Sequence, residues 1–361
     1  MKYEDQRLPR LQVLRLVAAG LVLFGHARHE TPGEAGQFLL FFNSNFFAAG
    51  VDIFFVLSGF IMYRVSHASF GADGASAQFV RRRLMRIVPV YWICTTAMVA
   101  AMWSFSAHVD HSSIDGWHVL ASYLFFPMLN PYGQPYPALN LGWTLNFEMF
   151  FYGIFALGLA LPRRSGLALV FGFIVAMAGW GLMLAPSSLP WGFWASPIVL
   201  EFLFGIALAQ AHLAGWRWSP RTCAVVAGLG VLLLYAGSLL GGSGPFWPWR
   251  FFFIGVPALL ICASMALAAA PMSNGILQHA LVLGGDASYA LYLTHPFTLT
   301  VLGMLLGKLA WVGPWLHLAL ALLTCLAVGV LFHMLIERPL LTWLQRQRVL
   351  AGGPRRARVS A

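Results

Sequence analysis

The sequence predicts an all-α protein, a polytopic transmembrane helix bundle of about ten spanning helices with both termini cytoplasmic. Three observations carry that expectation. Of the 361 residues, 59% are hydrophobic and only 9% charged, where an ordinary soluble domain has about 25% charged residues. Apolar runs of roughly the 20 residues needed to cross a bilayer recur along the whole chain. The basic residues also sort by side. Eighteen lie at the ends and on alternate connections, three (Arg28, Arg250 and Lys308) lie on the other side, and Arg15 sits inside the first run. Such an excess marks the cytoplasmic face. The net charge of +10 therefore reads as topology rather than as affinity for nucleic acid.

The elements follow in order. The first run, 11–29, succeeds the polar start "MKYEDQRLPR" and has no small-residue cleavage site, so it reads as a retained helix and not as a signal peptide. The second, 46–64, contains "GVDIFFVLSGFIM". The inner connection 66–80 is rich in small residues and reads as flexible, ending in the basic cluster that leads into 87–106. Residues 107–141 form the longest outer connection. Its apolar piece "WHVLASYLFFPML" reads as interfacial or re-entrant, because a crossing there would put Arg163 and Arg164 outside. Spans at 142–161, 166–185, 194–213, 222–240, 250–270, 282–305 and 315–336 complete the bundle. Residues 1–348 thus form a single membrane domain without a repeat, and the Gly/Pro/Arg-rich tail 349–361 is expected to be disordered. Cys94, Cys223, Cys262 and Cys325 lack paired spacing and read as small buried hydrophobes.

The chemistry starts with "LRLVAAGLVLFGHARHE", residues 14–30. Arg15 and His26 are eleven residues apart, which is about three turns and about 16 Å along one helix face. An Arg inside a span costs about 2.5–3.5 kcal/mol even on mild insertion scales, so a shared polar face lines a cavity or another helix rather than lipid. The plainer reading is a snorkelling Arg and a His bonded to a nearby carbonyl. Other polar residues accumulate at membrane depth: Asp52 and Ser58 in the second span, Asn146 and Glu148 in "GWTLNFEMFFY", and Asp286, Ser288, Tyr292 and His295 in "GGDASYALYLTHP". Ser288, Tyr292 and His295 make a stripe on one helix face. Together these residues point to one internal polar chamber, with Glu201 standing alone as a structural residue.

At "FVRRRLMRIVPVYW", Arg83 and Arg86 are neighbours on one turn with Arg82 beside them. Arginine holds phosphate bidentately and stays charged, although plain inner-face anchoring needs no ligand. In "HVDHSSIDGWH", His108, Asp110, His111 and His118 suggest metal, but the spacing lacks a helical i,i+4 pair. A solvated outer loop and no metal site is the better reading.

Arg15 with His26, "FFVLSGF" (54–60), "RRLMRIVP" (82–89), "GWTLNFE" (142–148), "SYALYLTHP" (288–296) and "ERP" (337–339) occur in that order. Together they resemble the acyltransferase-3 family of bacterial membrane O-acyltransferases, and most of all its exopolysaccharide branch, over about residues 10–340. Two departures are Gln12-Val13, where many relatives have Asp-Gly, and Thr144-Leu145-Asn146-Phe147, where many have a serine-rich run. The resemblance implies an inner-membrane enzyme without a permanently bound cofactor. It would move an acetyl group from cytoplasmic acetyl-CoA to a sugar hydroxyl of a polysaccharide or lipid-linked oligosaccharide. Arg82, Arg83 and Arg86 would hold the donor's phosphates, and Arg15 would anchor the donor, hold an oxyanion or orient a carboxylate. His26 would act as general base or as a transient acyl carrier. Glu148 would orient the imidazole or bind the sugar. Asp52, Ser58, Asn146, Ser288, Tyr292 and His295 would line the pocket or bind acceptor, and Glu337 would stand at the donor entrance beside an inner-face Arg. Competing expectations are a secondary transporter or flippase and a member of the other large class of membrane O-acyltransferases.

Overall fold

The computed structural model describes residues 8–31, 44–104, 115–186, 188–242, 244, 246–272, 275–306 and 312–350. The regular elements of the described residues are helices, with one isolated bridge between Trp218 and Ala268. The helices are α1 Pro9–Glu30, α2 Ser44–Ser66, α3 Ala75–Ser104, α4 Gly116–Tyr123, α5 Trp143–Leu159, α6 Arg163–Leu184, α7 Leu200–Leu213, α8 Pro220–Leu240, α9 Val256–Ala266, α10 Ile276–Asp286, α11 Ser288–Leu306, α12 Pro314–Phe332 and α13 Arg338–Leu350. Pro9, Pro220 and Pro314 open their helices in the first turn, where the missing N–H has no intrahelical partner to lose.

Among the described residues, seven helices are long and apolar enough to cross a bilayer. The remaining expected spans fall on shorter helices: α5, α7 with its lead-in from Pro197, and α9 with the π turn Phe251–Gly255 before it. This is a multi-pass membrane protein. Three expectations change in detail. The span expected at 282–305 is broken at Ala287 into α10 and α11. Gly284 and Gly285 explain the approach of α10 to α1, since a Cβ on Gly285 would collide with the Gln12 backbone carbonyl. The last span does not stop near 336 but runs on through a π turn, His333–Glu337, into α13. The helix therefore reaches Leu350, and residues 351–361 of the expected tail lie outside the described residues. The connection 66–80 is not a loose loop. Gly71 N–H donates to the Leu159 carbonyl, and the Phe70 ring lies 5.8 Å from Phe155.

The α4 segment has eight residues, about 12 Å of helix, so it does not cross. It lies against α3, with Tyr91 OH donating to the Ser122 carbonyl and Trp92 Nε1–H to the Tyr123 carbonyl. His118, expected on a solvated loop, is buried and donates from Nε2 to the Tyr136 carbonyl at 2.8 Å. His108, Asp110 and His111 lie outside the described residues.

The hub is α2. Its apolar window is 72% buried, against 22% for α6 and α8, so α2 is wrapped by protein while α6 and α8 face lipid with side chains such as Val225, Leu229 and Leu232. Small residues let α2 and α7 cross closely: a Cβ on Gly59 would strike the Phe202 carbonyl, and one on Gly205 the Val56 carbonyl. Around that crossing the aromatic core stacks, with Phe55–Phe202 at 4.6 Å, Phe151–Phe202 at 4.4 Å and Phe147–Phe193 at 4.2 Å between ring centroids. Such pairs add about 0.5–1.5 kcal/mol each beyond the area they bury. This rigid wall fixes α1, α2, α5 and α11 around the polar interior.

Candidate active site

Two cavities open within the bundle, one above the other. The first, about 110 Å³, lies toward the arginine-rich end and is lined by Arg15, Ser58, Arg83, Arg86, Glu148 and Tyr152, closed by apolar and aromatic side chains. The second, about 260 Å³, lies at the opposite end and is lined by His26, Asn45, Tyr136, Asn140, Trp143 and Arg250 among others. Val51 and Tyr292 line both. They form the partition between the two.

The arginine cavity is assembled from five helices, α1, α2, α3, α5 and α11. Arg83 and Arg86 face it from one turn of α3, and Arg83 also lies 5.7 Å from the centroid of the Phe79 ring beside it. Arg86 is exposed, so the cavity opens at its end. Arg15 meets Arg86, Glu337, Asp286 and Glu148 electrostatically. Three guanidiniums and a single carboxylate, Glu148, line the space. That carboxylate is held: Ser58 Oγ donates to Glu148 Oε1 at 2.9 Å, and Tyr152 OH donates to the same oxygen. Thr144, Glu148 and Tyr152 recur at four-residue spacing, so α5 turns one polar stripe toward the cavity. Glu337 is buried beneath it, 2.8 Å from His333 Nδ1 within the π turn.

In the histidine cavity, His26 Nδ1 lies 2.9 Å from the Val22 carbonyl. A carbonyl can only accept, so Nδ1 carries the proton, and in the neutral ring Nε2 is the basic nitrogen. The His295 ring stands 4.9 Å from the His26 ring, edge to face, with its own Nδ1 bonded to the Leu291 carbonyl. Asn45 bonds the Gly242 carbonyl. Tyr136 is half-buried; burial raises its phenol from the ordinary value, and the Arg250 guanidinium pulls it back.

The expected site residues divide accordingly. Arg15, Ser58, Arg83, Arg86, Glu148 and Tyr292 share one cavity, while His26 and Tyr292 share the other. Arg82 lies off the cavity-facing side of α3. Glu148 is not the group that orients His26. It sits five residues below Trp143, about 7.5 Å deeper along α5, and the Val22 carbonyl fixes the imidazole instead. Asp52 faces neither cavity, because both its oxygens are taken by Arg250: Nε at 3.0 Å and Nη2 at 2.5 Å. Asn146 and Ser288 are buried away from both cavities. Glu201 is not alone, since it packs beside Asp52 and Arg250. Sequence reasoning missed Tyr152, whose signal is the i,i+4 spacing from Glu148, and Tyr289, whose OH donates to the Ile87 carbonyl. It also missed Arg250 and the Tyr136–Trp143 wall, which come from connections without periodicity. Among the described residues no group of three His, Cys, Asp or Glu is placed to hold a metal ion.

A family model described as an acyltransferase domain matches residues 8–334. The chain belongs to the acyltransferase-3 family. Its relatives include the exopolysaccharide production protein ExoZ of Rhizobium meliloti, 35% identical over 84% of this chain and 93% of the relative. The acyltransferase MdmB of Streptomyces mycarofaciens is 27% identical over 96% and 95%. A putative peptidoglycan O-acetyltransferase of Bacillus subtilis is 24% identical over 81% of this chain and 50% of the relative. No solved structure matches. This family member is a membrane-embedded acyltransferase, and the two cavities lie wholly within its matched region.

Proposed function

We propose that the protein moves an acetyl group from acetyl-CoA, entering at the cytoplasmic arginine-rich end, to a sugar hydroxyl of an exopolysaccharide or other envelope glycan at the far end of an inner-membrane channel. The observation that carries this reading is the pair of stacked cavities, one with three guanidiniums and one with His26, separated by Tyr292 and Val51. Coenzyme A is a polyanion on a long arm. Arg15, Arg83 and Arg86 suit its phosphates, and the arm spans the roughly 16 Å between the Arg15 and His26 positions. Similarity to an exopolysaccharide production protein supports the acceptor class.

In this reading the acceptor hydroxyl in the histidine cavity gives its proton to His26 Nε2 as its oxygen attacks the thioester carbonyl. The carbon–sulfur bond breaks as the ester forms, and the proton passes from imidazolium to the leaving thiolate. Val22 keeps Nδ1–H engaged throughout and holds the tautomer that this step needs. Glu148, tied by Ser58 and Tyr152, sets the geometry of the arginine group on the donor side.

The test uses purified protein in proteoliposomes, labelled acetyl-CoA on the arginine side, and glycan from the source cells on the other. Released CoA and labelled glycan in equal amounts are expected. Uptake of label without CoA release would replace this reading with transport.

A further inference from the structure

Arg250 is 2% exposed and Asp52 fully buried, and neither was singled out by the family motifs as a partner of the other. The guanidinium spends three of its five N–H groups on protein. Nε–H meets Asp52 Oδ1, and Nη2 meets both Asp52 Oδ2 and the Ala48 carbonyl. Nη1 makes no hydrogen bond among the described residues, and the residue lines the histidine cavity. A buried ion pair serves stability poorly compared with apolar packing. A pair that fixes a planar fork and aims its spare edge into a cavity serves binding.

The walls agree. Trp143 and Tyr136 offer aromatic faces, and Asn45 and Asn140 offer amides, the mixture that suits a ring bearing hydroxyls on its rim. Charge narrows the class. One carboxylate, Asp52, pairs with the guanidinium, so an acidic sugar would bring a second negative charge to a cation already neutralised.

We propose that Arg250 is an acceptor-binding residue whose Nη1 donates to the oxygens of a neutral sugar residue in the cavity of His26, and that Asp52 is its positioning residue. This rests on the function proposed above. It also changes the role expected of Asp52, which acts through Arg250 and not on the acceptor.

The experiment measures steady-state transfer to glycan from the source cells and locates the label by mass spectrometry of the digested product. Removing one partner leaves a buried charge unpaired and can unfold the protein. The decisive variant is therefore the double substitution Asp52→Asn with Arg250→Gln, which keeps a hydrogen-bonded pair of similar volume, compared with Arg250→Lys. For the double variant, a KM for glycan at least tenfold higher is expected, with the KM for acetyl-CoA within twofold of wild type and the label on a neutral sugar. A double variant with wild-type glycan KM makes the pair purely structural and overturns the proposal. Label on an acidic sugar overturns the neutral class. If the wild type releases no CoA at all, the function proposed above fails first and takes this inference with it.

Discussion

The two cavities are made from different materials. The arginine cavity is lined from within helices, by side chains on α1, α2, α3, α5 and α11. The histidine cavity is lined largely by ends and connections: the start of α2, the Tyr136–Trp143 stretch and the turn that delivers Arg250. The first carries three guanidiniums, whereas the second carries one, cancelled by Asp52. A site for a shared polyanionic donor needs fixed charge on rigid rods, while a site for a varied acceptor is better placed on connections that can change without disturbing the bundle. The division teaches that donor and acceptor kinetics should separate by cavity.

The largest effect is expected at His26, the proposed base of the histidine cavity. His26→Ala should lower transfer by about 10³-fold, the scale of a lost general base, with little change in either KM. Unchanged turnover would remove His26 from the chemistry and move attention to His295, whose ring is its neighbour. Next, Arg83→Gln and Arg86→Gln should raise the KM for acetyl-CoA by roughly tenfold to a hundredfold, the loss of a charge-assisted hydrogen bond to an anion. The KM for glycan should stay as it was. Arg15→Lys should also be impaired, since an ammonium cannot reproduce the planar fork. If these substitutions raised the glycan KM instead, the division of the cavities would be wrong.

Glu148→Gln sharpens the same comparison with a smaller effect. It keeps acceptors for Ser58 Oγ and Tyr152 OH but removes the single carboxylate that lines the arginine cavity. Loss of about tenfold in kcat/KM for acetyl-CoA is expected, again without a change in glycan KM. A change confined to glycan kinetics would restore Glu148 to the acceptor side.

What the sequence made legible follows the same boundary. Arg15 with His26, and Arg83 with Arg86, stand out because charge inside or at the end of an apolar run is costly, and because helical spacing says which side chains share a face. Tyr152 was within reach of that logic. The pairing of Asp52 with Arg250 was not: they are 198 residues apart, and no periodicity links a span to the turn before a distant helix. The break at Ala287 was hidden because the apolar run continues across it, and only the glycines before it hint that α10 must approach α1. Of the two roles first given to Glu148, orienting His26 does not fit its depth. Sequence places it five residues from Trp143 but not on the far side of Tyr292.

The smallest predicted effect tests the partition itself. Tyr292 OH lies 3.0 Å from Thr144 Oγ1 and 3.2 Å from the Leu141 carbonyl, which pins the ring across the boundary between the cavities. Thr144 Oγ1 also donates to the Leu141 carbonyl at 3.0 Å, so removing the phenol leaves that carbonyl satisfied. Tyr292→Phe therefore loses about one neutral hydrogen bond, worth roughly 0.5–1.5 kcal/mol, and keeps the ring that separates the spaces. A loosely held ring should let the thioester pass more easily or seat it less well. Either way kcat is expected to move by about two- to fivefold while both KM values hold. Tyr292→Ala instead joins the cavities, and water entering from either side should uncouple CoA release from glycan labelling. Equal coupling ratios in the Phe and Ala variants would mean that Tyr292 lines the two cavities without separating them.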